Sequence, residues 1–120
     1  MLYQEAIEKV KRSPNIHKMG MIAVHLGIVR ATSRSGEPVK SVDVSFDKTE
    51  LDKIREEMQK REGIYEVVIL TNSGRLKVGD EIMAVAVGGD IRESVFPVLE
   101  ETVNRIKAYA SKKQEYKRGS

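Results

Sequence analysis

The basic end of the chain is the first place where residue types and spacing suggest chemistry. Arg105, Lys107, Lys112, Lys113, Lys117 and Arg118 stand there against one acid, Glu115. These cations exceed the whole net charge of +3, so the rest of the chain is slightly acidic. Such a run suits an anionic partner, whether phosphate, nucleic acid or an acidic protein surface, although a solvated tail has the same composition. A second place is Gly88-Gly89-Asp90, between an apolar run and a helical one. Glycines there admit close approach of a ligand, the helix N-terminus offers free amide donors to an anion, and Arg92 lies in the first turn. A plain strand-to-helix turn reads identically. Of the two histidines, His17 falls in a loop and His25 in an apolar strand, where a packed, hydrogen-bonded ring is expected. Glu56-Glu57 and Glu100-Glu101 have the spacing of solvent-facing helix positions. The absence of cysteine excludes a disulfide scaffold, a cysteine nucleophile and a thiolate metal site. With only two histidines, no metal site is expected.

The elements that must position these residues follow from periodicity. At 120 residues, 40% hydrophobic and 32% charged, with a pI near 9.2, the chain is expected to form a single domain, 1–120, ending in a basic tail from about 111. Leu2, Ala6, Ile7 and Val10 recur at helical spacing up to Ser13-Pro14. Residues 19–32 read as a long strand, 33–38 as a loop, and the alternation of Val42, Val44 and Phe46 as a half-buried strand over 39–46. Asp47 caps a helix over 48–62, and further strands are expected at 64–71 and 80–88, with a last helix over 92–110. The spacing predicts a core containing Val24, Ile54, Val68, Leu70, Val85, Val87, Phe96 and Leu99. The uncharged run from Ile82 to Gly89 needs cover on both faces, more than one chain's helices are expected to supply. The fold class is therefore α+β, with antiparallel or mixed sheets packed by helices. No apolar run reaches the ~20 residues of a membrane span and the first residues are amphipathic, so the expected location is cytoplasmic.

Three segments resemble one family. Gly27-Ile28-Val29-Arg30 is similar to the GxVR segment of the molybdopterin synthase large (catalytic) subunit, and Gly74-Arg75-Leu76-Lys77-Val78-Gly79-Asp80 to that family's G-x-L-x-x-G-[DE] segment. Arg92-Glu93-Ser94-Val95-Phe96 resembles its H-R-x-x-[AV]-F helix start. The segments come in the family's order across about residues 18–118, which identifies the chain as a divergent, MoaE-like member.

The resemblance implies an alpha/beta-hammerhead fold and a subunit that sulfurates cyclic pyranopterin monophosphate to molybdopterin. It implies a ubiquitin-like small subunit, whose C-terminal Gly-Gly carries the thiocarboxylate sulfur, and a homodimer within a heterotetramer. Arg30 and Arg92 fall on the arginines of the anionic substrate pocket, and Lys107 and Lys117 on the lysines near the partner's terminus. No cofactor is implied; the phosphorylated pyranopterin is the substrate. The chain also departs from the pattern. Ile91 and Thr71 stand where the family carries histidine, Asn72 replaces the following arginine, and Ser111 to Tyr116 replaces the P-x-W-K ending. The alternative reading is thus a non-catalytic relative that binds a pterin, a nucleotide or a ubiquitin-like partner. A nucleic-acid module ranks third, because six aromatics and no tryptophan offer little for base stacking.

Overall fold

The computed structural model describes residues 1–117, the side chain of Lys117 excepted. Six strands form two antiparallel three-stranded sheets. The first has the order β1 (Met21–Ile28), β5 (Glu81–Gly89), β3 (Ile64–Thr71). The second has the order β4 (Gly74–Lys77), β2 (Val39–Phe46), β6 (Ser111–Lys117). Helices α1 (Leu2–Lys11), α2 (Lys48–Gln59) and α3 (Arg92–Arg105) pack on the first sheet. The second sheet extends the molecule to 51 Å by 23 Å by 22 Å. Among the described residues no helix is long and apolar enough to cross a membrane.

Strand β5 organises the first sheet because it is apolar on both sides of its pleat. Met83, Val85 and Val87 face α2 and α3, packing with Leu51, Ile54, Met58, Val95 and Ile106. Ala84 and Ala86 face α1, where Ala6 and Val10 close over them. Both faces are therefore covered within one chain, and the long apolar run does not itself demand a second copy. Its small residues set the fit. A Cβ on Gly89 would lie 2.5 Å from the Gly63 carbonyl oxygen and 2.6 Å from a Val95 methyl; one on Gly88 would lie 2.7 Å from a Val10 methyl. The Gly88-Gly89 pair thus serves close packing of backbone and helices. Gly89→Ala is expected to destabilise the protein by about 1–3 kcal/mol through overpacking. Urea unfolding checks this, and an unchanged midpoint would refute it.

Two expectations need correction. Phe96 is 52% exposed, because α3 buries Val95, Val98, Thr102 and Val103 and so turns the next position outward. Residues 111–117, expected as a tail, form β6, which pairs with β2 from Phe46↔Ser111 to Val39↔Lys117. The strand lacks apolar alternation because it is an edge, where lysines are favoured, and a polar cluster holds it. The Tyr116 hydroxyl donates to Asp43 Oδ2 at 2.7 Å, and Arg75 donates to both Asp43 oxygens at 3.0 and 3.2 Å. The Arg75 guanidinium also stacks 4.1 Å from the Tyr116 ring centre, so the three strands of the second sheet meet at one carboxylate.

Hydrogen bonds from Arg75, then from Tyr116, hold the Asp43 carboxyl below the usual carboxylate range. A lowered folded-state value means stabilisation present above the unfolded value, about 3.9, and lost as pH falls through the folded one. Asp43→Asn is therefore expected to weaken the protein at neutral pH and to cost less as pH falls toward and through the folded value, where the wild-type carboxyl also loses its charge. Urea midpoints across a series of acidic pH values test this; an equal loss at every pH would count against the ionic role.

Candidate functional site

Helix α3 does not end cleanly but continues into a π-helical turn, Ile106–Ala110. Such turns are uncommon and recur at functional sites. Ile106 and Ala110 anchor this one in the core, the Ala110 carbonyl accepts from the Asp47 amide, and the Lys107 carbonyl from the Ser111 hydroxyl. With its neighbours fixed, Lys107 is left exposed, with no ion pair or side-chain hydrogen bond among the described residues.

Beneath it lies His25 on β1. Met21, Ala23, His25 and Gly27 share the face covered by α3, and His25 pairs with Val85, Gly27 with Met83. The expected hydrogen-bonded histidine is only half realised. The ring is packed, but its Nε2 is shielded from solvent and has no partner among the described residues. A Cβ on Gly27 would sit 3.6 Å from this nitrogen, so the glycine leaves ordinary contact space beside it. Burial, and after it the nearby Lys107 ammonium, hold the imidazole below its ordinary pKa, which keeps it neutral at pH 7. Sequence reasoning placed His25 correctly in a strand and missed its juxtaposition with Lys107, which arises only when α3 folds back over β1.

Arg30 lies five residues beyond His25, past the irregular Ile28↔Glu81 pair that ends β1. Its neighbours are fixed: the Val29 amide donates to Asp80, and the Ala31 carbonyl accepts from Val39. Arg30 itself is exposed and has no ion pair among the described residues, unlike Arg61, Arg75 and Arg105, which face carboxylates. Arg92, at the start of α3, is also exposed and has no ion pair among the described residues. Fifteen residues separate it from Lys107, about 22 Å along a helix axis. It stands near the Met21↔Gly89 end of the sheet, whereas Arg30 stands past the opposite end. Within one chain Arg92 and Arg30 therefore stand at opposite ends of the first sheet, and Arg92 is remote from Lys107. The backbone of Lys117 pairs with Val39, near Ala31, while its side chain lies outside the described residues, as does Arg118.

The expected anion site at Gly88-Gly89-Asp90 does not form as an open cradle. The glycines are filled by packing, and Asp90 Oδ1 itself accepts from the Ile91 amide at 2.6 Å. Two surface hollows of about 380 and 400 Å³ lie against α1, bordered by Ile16 and Met19 in one and by Arg12 and Arg55 in the other. Neither is bordered by Arg30, Arg92 or Lys107, each of which is exposed. Among the described residues there is no cluster of three metal-ligating side chains.

Comparison with known proteins accords with this geometry. A probable molybdopterin synthase of Haloferax volcanii is 30% identical over 108 residues, which cover 84% of this chain and 41% of that protein. The solved molybdopterin cofactor biosynthesis protein E of Burkholderia multivorans is 26% identical, with a TM-score of 0.75 over 96% of this chain and 80% of that one. A complex of subunits 1 and 2 of molybdopterin-converting factor from Helicobacter pylori includes a similar fold, with 15% identity and a TM-score of 0.73 over 98% and 80%. The MoaE protein family model matches residues 2–109, and with that span, sheet order and helix placement the chain belongs to the MoaE family as a divergent member.

Proposed function

We propose that this chain is the large subunit of a molybdopterin synthase, sulfurating cyclic pyranopterin monophosphate with sulfur from the thiocarboxylated C-terminal Gly-Gly of a ubiquitin-like small subunit. Family membership supports a role in molybdenum cofactor biosynthesis, and the two-subunit complex of the Helicobacter pylori relative supports a small-subunit partner. The observation that carries the finer reading is Lys107, an exposed cation without a carboxylate, held by a π-helical turn. Sulfur transfer from an acyl donor passes through oxyanionic tetrahedral species, which a fixed ammonium stabilises. Lys117 is proposed as a second lysine of the transfer. The phosphate of the pterin needs cations whose donors match its oxygens, the role of Arg30 and Arg92.

For Arg92 to join the others, it has to come from a second copy. β1 is an edge strand whose outer side carries no acid or fixed charge from Met21 to Val29. A two-fold axis that ran β1 antiparallel beside its own copy would set the Met21 end of one chain against the Ile28 end of the other. The second copy's Arg92 would then approach Lys107 and Arg30, and each dimer would hold two sites.

One observation favours the alternative, a non-catalytic binding protein. Ile91, 55% exposed at the start of α3, offers no proton where the family carries histidine. Mixing the pure protein with a thiocarboxylated small subunit and the pyranopterin precursor separates the readings. Formation of molybdopterin is expected; a stable complex without product assigns the binding role, and the absence of both product and complex refutes the synthase reading.

A further inference from the structure

The mechanism proposed above leaves one half-buried titratable group unused. His25 lies on the α3 face of the first sheet with a shielded, unpartnered Nε2, in ordinary contact space left by Gly27 and beside Met83. An unpaired polar atom in such a place is unusual, since buried nitrogens normally find a partner. Around the ring, β5 presents Val85 and Met83, β1 presents Gly27, and the turn after α3 presents Lys107, whose ammonium is the charge acting on it. Among the described residues no carboxylate forms an ion pair with Lys107.

We propose that His25 and Lys107 form one anion-responsive pair, in which an anion seated on Lys107 draws a proton from solvent onto the half-buried ring of His25. The argument is linkage. The ring stays neutral for two reasons, burial and the repulsion of Lys107. An anion on Lys107 cancels the second reason, and the imidazolium that forms attracts the anion in return, so binding and protonation strengthen each other. The balance is simple: one solvent proton forms one N–H bond on the ring, and it leaves when the anion leaves. His25 is thus a positioning residue that acts through Lys107 and loads the site with an acid only when it is occupied.

The inference rests on Lys107 facing an anion, as in the proposed function, but its test needs neither pterin nor small subunit. The full chain has two histidines, and the exposed His17, in the short turn Ile16–Lys18, serves as the internal control. Both rings are titrated by proton NMR, assigned with His17→Gln, in sodium chloride and in inorganic sulfate at equal ionic strength. Sulfate is suitable because its charge stays constant across the titration. Sulfate is expected to raise the His25 midpoint by about half a pH unit or more, with a smaller effect on His17. Lys107→Ala should raise His25 without sulfate and abolish the sulfate response. Equal movement of both rings, no movement, or an unchanged His25 in Lys107→Ala would overturn the pairing. A protein that fails to transfer sulfur yet shows the coupled titration keeps this inference and loses the enzymatic reading; transfer with a flat titration does the reverse.

Discussion

Lys107→Ala protein is expected to lose sulfur transfer by about two to three orders of magnitude, the usual cost of removing one charge-stabilising donor from an acyl-transfer site. Its melting temperature should stay within a few degrees of wild type, because an exposed, unpaired lysine contributes about 0–1 kcal/mol to folding. The backbone of the turn does not depend on this side chain: Ile106 and Ala110 supply the packing, and the hydrogen bonds run through carbonyls. Lys113→Ala provides the control for net charge, since Lys113 is exposed on β6 opposite Val44. Single-turnover transfer from a thiocarboxylated small subunit gives the rate. Full activity in Lys107→Ala removes the catalytic assignment, and loss of folding makes the residue structural.

Mixing two inactive variants should restore activity. Arg92→Ala is expected to cost about ten- to a hundredfold, the worth of a charge-assisted hydrogen bond to phosphate. If Lys107 and Arg92 serve one site from different chains, a mixed dimer of Lys107→Ala and Arg92→Ala holds one site with both residues intact. Random re-association makes half the dimers mixed, so about a quarter of wild-type activity should return. If both residues act from the same chain, no mixed dimer has an intact site and the mixture stays as inactive as its parts. The separation of about 22 Å along α3 makes the first outcome the expected one. Arg30→Ala mixed with Lys107→Ala should not complement, because Arg30 lies past the same end of β1 as the His25–Lys107 pair.

What was legible in the sequence was what periodicity encodes. The alternation in residues 39–46 and the apolar run after Asp80 gave β2 and β5, and the stripe Leu51, Ile54, Met58 gave α2 with its Asp47 cap. The strands without such patterns were missed. Gly74–Lys77 is four residues with one buried side chain, and β6 is polar along its length, because both are edges held by the central strand and by Asp43. Their cause is tertiary, and no local window contains it. The site shows the same division. The family motifs marked Arg30, Arg92 and Lys107, but which of them share an end of the sheet depends on strand register and on the length of α3. His25 was visible as an apolar-strand histidine, whereas its lack of a partner emerges only when Gly27, Met83 and Lys107 surround it.

The strand order of the two sheets has a consequence for synthesis. β1 and β3 are both edges of the first sheet and meet only through β5, which leaves the ribosome after them. β2 is the centre of the second sheet, yet its partners β4 and β6 are made later, and β6 closes on it across a separation of 73 residues at the Asp43–Tyr116 bond. A nascent chain that has reached Asp80 therefore carries the two largely apolar strands β1 and β3 without the strand that joins them, and the fold's contacts are dominated by distant pairings that form slowly. Until β5 emerges, the inner sides of β1 and β3 have no partner strand, the state in which a chain is most open to pairing with other molecules.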